Sequence, residues 1–77
     1  MKPETAKAVN EVLVLAREGY NVKLESELFF VINGQLELFP ARRFYKVRGT
    51  EYSGNYTNVR ELLNKFQIWS DDRGEDD

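Results

Sequence analysis

The chain has 77 residues, of which 42% are hydrophobic and 13% aromatic, with no cysteine, no histidine and a net charge of −2. This length fits one domain, and this apolar share is typical of a globular fold and not of a disordered chain. Without His and Cys, neither a Ser-His or Cys-His nucleophile pair nor the usual nitrogen and sulfur ligands of zinc can be assembled.

The first predicted element is a helix that begins near Pro3 and ends before Gly19. Proline suits the first helical turn, Glu4 complements the positive end of the helix dipole, and glycine is the usual residue after a helix. Five apolar residues recur at helical spacing and are predicted to form the buried stripe: Ala6, Val9, Val12, Leu13 and Ala16.

A strand-rich stretch follows the helix. Tyr20, Val22 and Leu24 alternate with polar residues, which indicates a half-buried strand, and residues 28–32 form a continuous apolar run. Because apolar residues recur at even positions over most of 20–32, this stretch is compatible with one bent strand or with two strands.

The Asn33-Gly34 pair between two apolar runs predicts a β-hairpin, because both turn positions favour positive φ. A two-residue turn places Val31 opposite Leu36. One sheet face is then purely apolar, with Phe29, Val31, Leu36 and Leu38. The other face, which carries Phe30, needs a separate cover, so Phe30 is a candidate binding residue.

Residues 44–48 alternate again as a strand, and residues 49–56 read as a loop. Asn58 and Glu61 have capping-box spacing before a second helix, and Trp69 is expected to pack at its end. The predicted fold is α+β: an N-terminal helix, a three- to four-stranded antiparallel sheet and a C-terminal helix. Residues 1–69 form one domain, and residues 70–77 form a disordered acidic tail.

Charge is distributed unevenly along the chain. Residues 1–40 carry a net charge of −2, residues 41–60 carry +4, and residues 61–77 carry −4. Residues 42–60 interleave cations with aromatic rings, a pattern by which proteins that bind single-stranded nucleic acids contact phosphates and stack on bases. The candidate binding residues of this segment are Arg42, Arg43, Phe44, Lys46, Arg48, Tyr52 and Tyr56. The alternative is a structural role, in which the cations lie on a solvated edge strand and the rings are buried. The net charge of −2 also argues against a dedicated nucleic-acid-binding protein.

The remaining motifs favour no catalytic chemistry. The five glycines fit no phosphate-binding loop, and no acid pair has the contrasting environments that carboxylate catalysis needs. We therefore expect no enzyme activity, no cofactor and no metal site. No signal peptide and no apolar run of about 18 residues is present, so a cytoplasmic protein without a membrane partner is expected.

The opening of the chain carries a family resemblance. A short helix, a break, the strand pattern of 20–24 and the segment 28–33 resemble the start of small phage-encoded anti-CRISPR proteins, over roughly a third of the chain. The resemblance implies a helix–three-strand–helix domain whose acidic surface occupies the DNA-binding cleft of a nuclease. The basic segment 42–48 departs from that acidic pattern.

Two function hypotheses follow. The first is a non-enzymatic protein of phage or mobile-element type that binds and modulates a host protein or protein–nucleic acid complex, such as a CRISPR or other defence nuclease. The alternative is a small single-stranded nucleic-acid-binding protein that uses segment 42–60. A homodimer through the second sheet face is compatible with either hypothesis.

Overall fold

The computed structural model describes residues 2–70. Its elements are α1 (Pro3–Arg17), β1 (Val22–Ser26), β2 (Phe29–Ile32), β3 (Leu36–Phe39), β4 (Phe44–Val47), β5 (Ser53–Asn55) and α2 (Val59–Lys65). The strands form one antiparallel sheet in chain order, and buried residues of both helices pack on the same sheet face. The α+β class is confirmed, but the sheet has five strands and not three or four. Neither helix is long and apolar enough to cross a membrane.

The predicted tail, residues 70–77, lies outside the described part of the chain except for Ser70. Trp69, which was expected to pack at the end of α2, has 47% of its surface exposed. The apolar side chain that covers the core at this point is instead its neighbour Ile68, which is buried.

The buried face of α1 differs from the predicted stripe. Ala8, Val12 and Leu15 are buried, whereas Leu13 is 48% exposed and Ala16 is exposed. The three buried residues are spaced four and three apart, so they share one helical face. That face lies roughly a quarter of the helix circumference away from the predicted stripe. The helix has apolar residues around much of its surface, and only packing against the sheet selects among them.

The start of α2 and the end of α1 follow local sequence signals. Gly19 has a φ of 98°, and the N–H of Tyr20 donates to the carbonyl of Leu15 at 3.1 Å, which closes a Schellman motif. At α2, the Asn58 side chain accepts a hydrogen bond from the N–H of Arg60 at 2.9 Å. Gly19 as helix terminator and Asn58 as N-cap are confirmed.

The end of α2 uses the same motif without glycine. Gln67 has a φ of 56°, and the N–H of Ile68 donates to the carbonyl of Leu63 at 2.8 Å. A left-handed conformation is costly for a residue with a Cβ atom. The motif persists here because it turns the chain so that Ile68 enters the core.

The predicted hairpin register is wrong by one residue. Ile32, and not Val31, pairs with Leu36. Asn33 and Gly34 have φ values of 55° and 67°, as the Asn-Gly pair predicts, but one further residue stays in the loop before pairing begins. Neighbouring residues thus determine the turn conformation, whereas the rest of the fold determines the length of the loop.

This shift exchanges the two faces of β2, since successive side chains in a strand point to opposite sides, whereas Leu36 and Leu38 keep the face that the sequence predicts. The core face carries four side chains that are each at most 4% exposed: Phe30, Ile32, Leu36 and Leu38. Phe29 moves to the other face. Only this register places all four beside Tyr45, under the two helices.

Residues 20–32 form two strands, one of the two arrangements compatible with the sequence, and a tight turn in which Leu28 has a φ of 55° joins them. The last strand of the sheet departs from the prediction. Residues 53–55, read as loop, form β5. Gly54 pairs with Tyr45, and a Cβ atom at Gly54 would lie 3.6 Å from Cε1 of that ring. The tyrosine ring covers the glycine, so this short strand is held by its neighbour and not by its own propensity.

Candidate functional site

The sheet face that points away from both helices, called the outer face below, carries a row of three phenylalanines on adjacent strands. The rings of Phe29 and Phe39 are stacked, with centroids 4.7 Å apart and planes 4° from parallel. The Phe44 ring is tilted by 55° at 5.8 Å from Phe39. All three side chains are half-buried. Arg42 places its guanidinium carbon 5.7 Å from the centroid of Phe44, so a cation borders this phenylalanine row.

A second row on the outer face is charged. The pairing register aligns Lys23 with Val31, Val31 with Glu37, and Glu37 with Lys46. Val31 is only 2% exposed although no helix covers it, because long side chains flank it and cover it with their aliphatic stems. Nε of Arg48 donates to Oε2 of Glu37 at 2.8 Å. The outer face therefore joins an apolar row to a row of mixed charge.

Arg43 points to the opposite side and has a structural role. Its two terminal nitrogens donate to the two carboxylate oxygens of Glu11 at 3.2 and 3.3 Å, and Nη1 also donates to the Thr57 carbonyl at 3.0 Å. The hydrogen bonds to Glu11 raise the pKa of Arg43 further above its ordinary value. This bidentate pair ties the β3–β4 turn to α1.

Arg60 makes a similar connection between the two helices. Its Nη1 donates to Oε1 of Glu18 at 2.8 Å, and its other terminal nitrogen contacts Oε2. The hydrogen bond from Arg60 lowers the pKa of Glu18. Three of the five cations of segment 42–60 are thus paired with acids from other elements. Within residues 2–70, Arg42 and Lys46 form no ion pair.

Tyr56 and Tyr52 differ sharply in environment. Tyr56 is 7% exposed, and its hydroxyl has no hydrogen-bond partner among the described residues. Burial raises the pKa of this hydroxyl, and the nearby Arg43 guanidinium acts in the opposite direction. Tyr52 is 61% exposed, with its ring centroid 5.6 Å from that of Phe66.

The structure brings only part of the predicted site together. Arg42, at the border of the phenylalanine row, and Phe44, Lys46 and Arg48 belong to the outer face. Arg43, Tyr52 and Tyr56 lie away from it, and Phe30 is in the core. Sequence reasoning missed Phe29 as a member of this exposed row. The even-numbered apolar residues from Tyr20 to Ile32 could have indicated this, because they predict one common core face. The odd-numbered residues of this stretch then lie on the other face.

Within 2–70, no three acidic side chains come together as a metal-binding group. Compared with known proteins, the chain matches no family model, no curated protein and no solved structure.

Proposed function

We propose that this chain is a non-enzymatic cytoplasmic protein that docks on a host protein through its outer face. The observation that carries the proposal is the uncovered phenylalanine row, which lies beside Arg42 and Lys46. Aromatic residues and arginine are the residue types enriched at the centres of protein interfaces. Arg42 and Lys46 are exposed and form no ion pair within residues 2–70, so they are available to carboxylates of a partner.

The arrangement of the rings favours a protein over a nucleic acid. A base stacks on the flat face of an aromatic ring. Phe29 and Phe39 each cover one face of the other, and Arg42 lies over Phe44. Fewer ring faces are therefore free for bases, whereas apolar side chains of a protein can also pack against ring edges.

A single-stranded nucleic acid is the second candidate because of where the charge lies. Residues 2–70 carry ten Lys or Arg and eight Asp or Glu, a net charge of +2, whereas residues 71–77 carry one and five, a net charge of −4. The net charge of −2 for the whole chain thus conceals a mildly basic domain. Four cations of the outer face and its border (Lys23, Arg42, Lys46 and Arg48) would be the phosphate contacts.

A phage or mobile-element inhibitor of a defence nuclease is one instance of such a docking protein, and it is the instance that the anti-CRISPR resemblance implies. The feature that supports it is a contact face built from anchoring rings. The identity of the host protein stays a prediction of that resemblance.

Charge reversal on the outer face tests the proposal. Arg42→Glu and Lys46→Glu change exposed side chains, and Lys7→Glu, on an exposed position of α1, is the matched control. Immobilised wild type and Lys7→Glu should capture the same protein from a nuclease-treated bacterial lysate. The Arg42→Glu and Lys46→Glu proteins should lose it, since each reversal places an acid opposite the partner's carboxylates. Equal capture by all four proteins would refute docking through this face.

Direct titration with a purified single-stranded oligonucleotide distinguishes nucleic-acid binding, the second candidate function, from docking on a protein. The docking proposal expects no binding tighter than about 10⁻⁴ M at physiological salt, the weak end of non-specific affinity. If the chain binds tightly instead, and log affinity falls with log salt at a slope of roughly −0.7 per neutralised phosphate, the second candidate replaces the first.

A further inference from the structure

One edge of the sheet is left open beside a groove. β5 is the last strand of the sheet, and no described strand pairs with its far side. The N–H of Val47 donates to the Tyr52 carbonyl, and the N–H of Tyr56 donates to the Arg43 carbonyl. In an antiparallel ladder, residues that bond to the neighbour alternate with residues whose backbone groups point away. The N–H and C=O groups of Ser53 and Asn55 therefore face outward.

A groove opens at the end of β5, between Asn55 and α2. Its volume is about 300 Å³, and its lining includes Tyr45, Asn55, Leu62 and Lys65. Tyr45, whose ring lies over Gly54, forms one wall of this groove. A side chain from an added strand would enter the groove beside this ring and not over Gly54.

The opposite edge of the sheet lacks these features. β1 carries Lys23 and Glu25, whose side chains lie 3.7 Å apart, and its pairing is interrupted by a bulge between Leu24 and Ser26. Charged side chains and bulges are the usual means by which proteins discourage strand addition. The Ser-Gly-Asn sequence of β5 contains neither a charge nor a proline.

We infer that β5 accepts an extended peptide segment of a partner protein as a sixth strand. The peptide backbone bonds to the outward groups of Ser53 and Asn55, and one apolar side chain enters the groove beside the Tyr45 ring. Strand addition gains affinity from main-chain hydrogen bonds and specificity from such a side-chain position. The β5 edge adjoins the outer face, since Ser53 pairs with Lys46 and Asn55 with Phe44. It binds through backbone groups and not through the phenylalanine row, so the inference goes beyond the docking function proposed above.

A phage-displayed library of random 12-residue peptides, panned on the purified chain, supplies the probe. Enriched peptides should slow hydrogen exchange of the Ser53 and Asn55 amides at least tenfold, because those two N–H groups become hydrogen-bonded. Ser53→Pro should weaken peptide binding at least tenfold by removing an outward N–H, and proline is tolerated at such edge positions. Ser53→Ala, the matched control, keeps the N–H and should bind within about twofold of wild type.

Three results would overturn the inference: no peptide enriches, the exchange protection falls on residues of the outer face, or Ser53→Pro binds as well as wild type. A dimer detected by light scattering and dissolved by Ser53→Pro would also overturn it, because the edge would then be filled by a second copy of the chain. If Ser53→Pro does not fold, amide exchange in the wild type decides alone. The assay uses only purified chain and peptide, so its result is independent of lysate capture by the outer face.

Discussion

The buried hydroxyl of Tyr56 makes Tyr56→Phe a sharp test of the core. Residue 56 is 7% exposed, and its hydroxyl is enclosed without a hydrogen-bond partner among the described residues. A buried polar group that lacks a partner costs about 1–3 kcal/mol of stability, whereas an apolar group of the same shape incurs no such cost. Phenylalanine keeps the ring that lies beneath the Arg43 guanidinium, at 5.7 Å.

We expect Tyr56→Phe to raise the free energy of unfolding by about 1 kcal/mol at pH 7, at the lower end of that cost because the missing oxygen leaves a small void. For a chain of this size, 1 kcal/mol corresponds to a rise in Tm of roughly 4–8 °C. Thermal unfolding followed by circular dichroism measures it. Tyr52→Phe, at an exposed tyrosine, is the matched control and should leave Tm nearly unchanged.

The same substitution changes the response to alkali. Burial raises the pKa of Tyr56 in the folded state, so above the ordinary tyrosine pKa of about 10 the unfolded chain loses a proton that the folded chain keeps. Stability is therefore lost as the pH rises through about 10 and above. Tyr56→Phe should show a smaller alkaline loss than the wild type.

Two results would refute this reasoning. A fall in Tm of more than about 4 °C in Tyr56→Phe at pH 7 would mean that the hydroxyl has a hydrogen-bond partner, such as an enclosed water. An alkaline loss in Tyr56→Phe as large as in the wild type would mean that residue 56 does not carry the pH dependence.

Other substitutions test the packing of α1 and the helix ends. Leu15→Ala should lower the free energy of unfolding by about 2–5 kcal/mol in urea titrations, whereas Leu13→Ala should change it by less than about 0.5 kcal/mol; equal losses would contradict the assigned face of α1. Gln67→Gly should stabilise the protein by about 1 kcal/mol because its φ of 56° suits glycine, and Gly19→Ala should destabilise it by a similar amount. Differential scanning calorimetry that shows a lower Tm for Gln67→Gly would exclude a relief of backbone strain at this site.

Within the candidate site, the sequence predicted the four residues that alternate along or border β4 but not the residues that complete the surface. Phe44, Lys46 and Arg48 share a face because strand periodicity is local. The pairing of Arg43 with Glu11 joins residues 32 positions apart, and no local pattern indicates it. Likewise, the sequence does not predict the open edge at β5, since the three residues of this strand have the composition of a turn.

The sequence alone determined the features that depend on neighbouring residues. Gly19 ends α1, Asn58 caps α2, and Asn33-Gly34 turns the chain, because each signal acts through the φ angle or a hydrogen bond of a residue one to four positions away. Only the tertiary structure decided the hairpin register and the buried face of α1. In both cases several arrangements satisfy local chemistry equally well, and burial against distant strands and helices selects one of them.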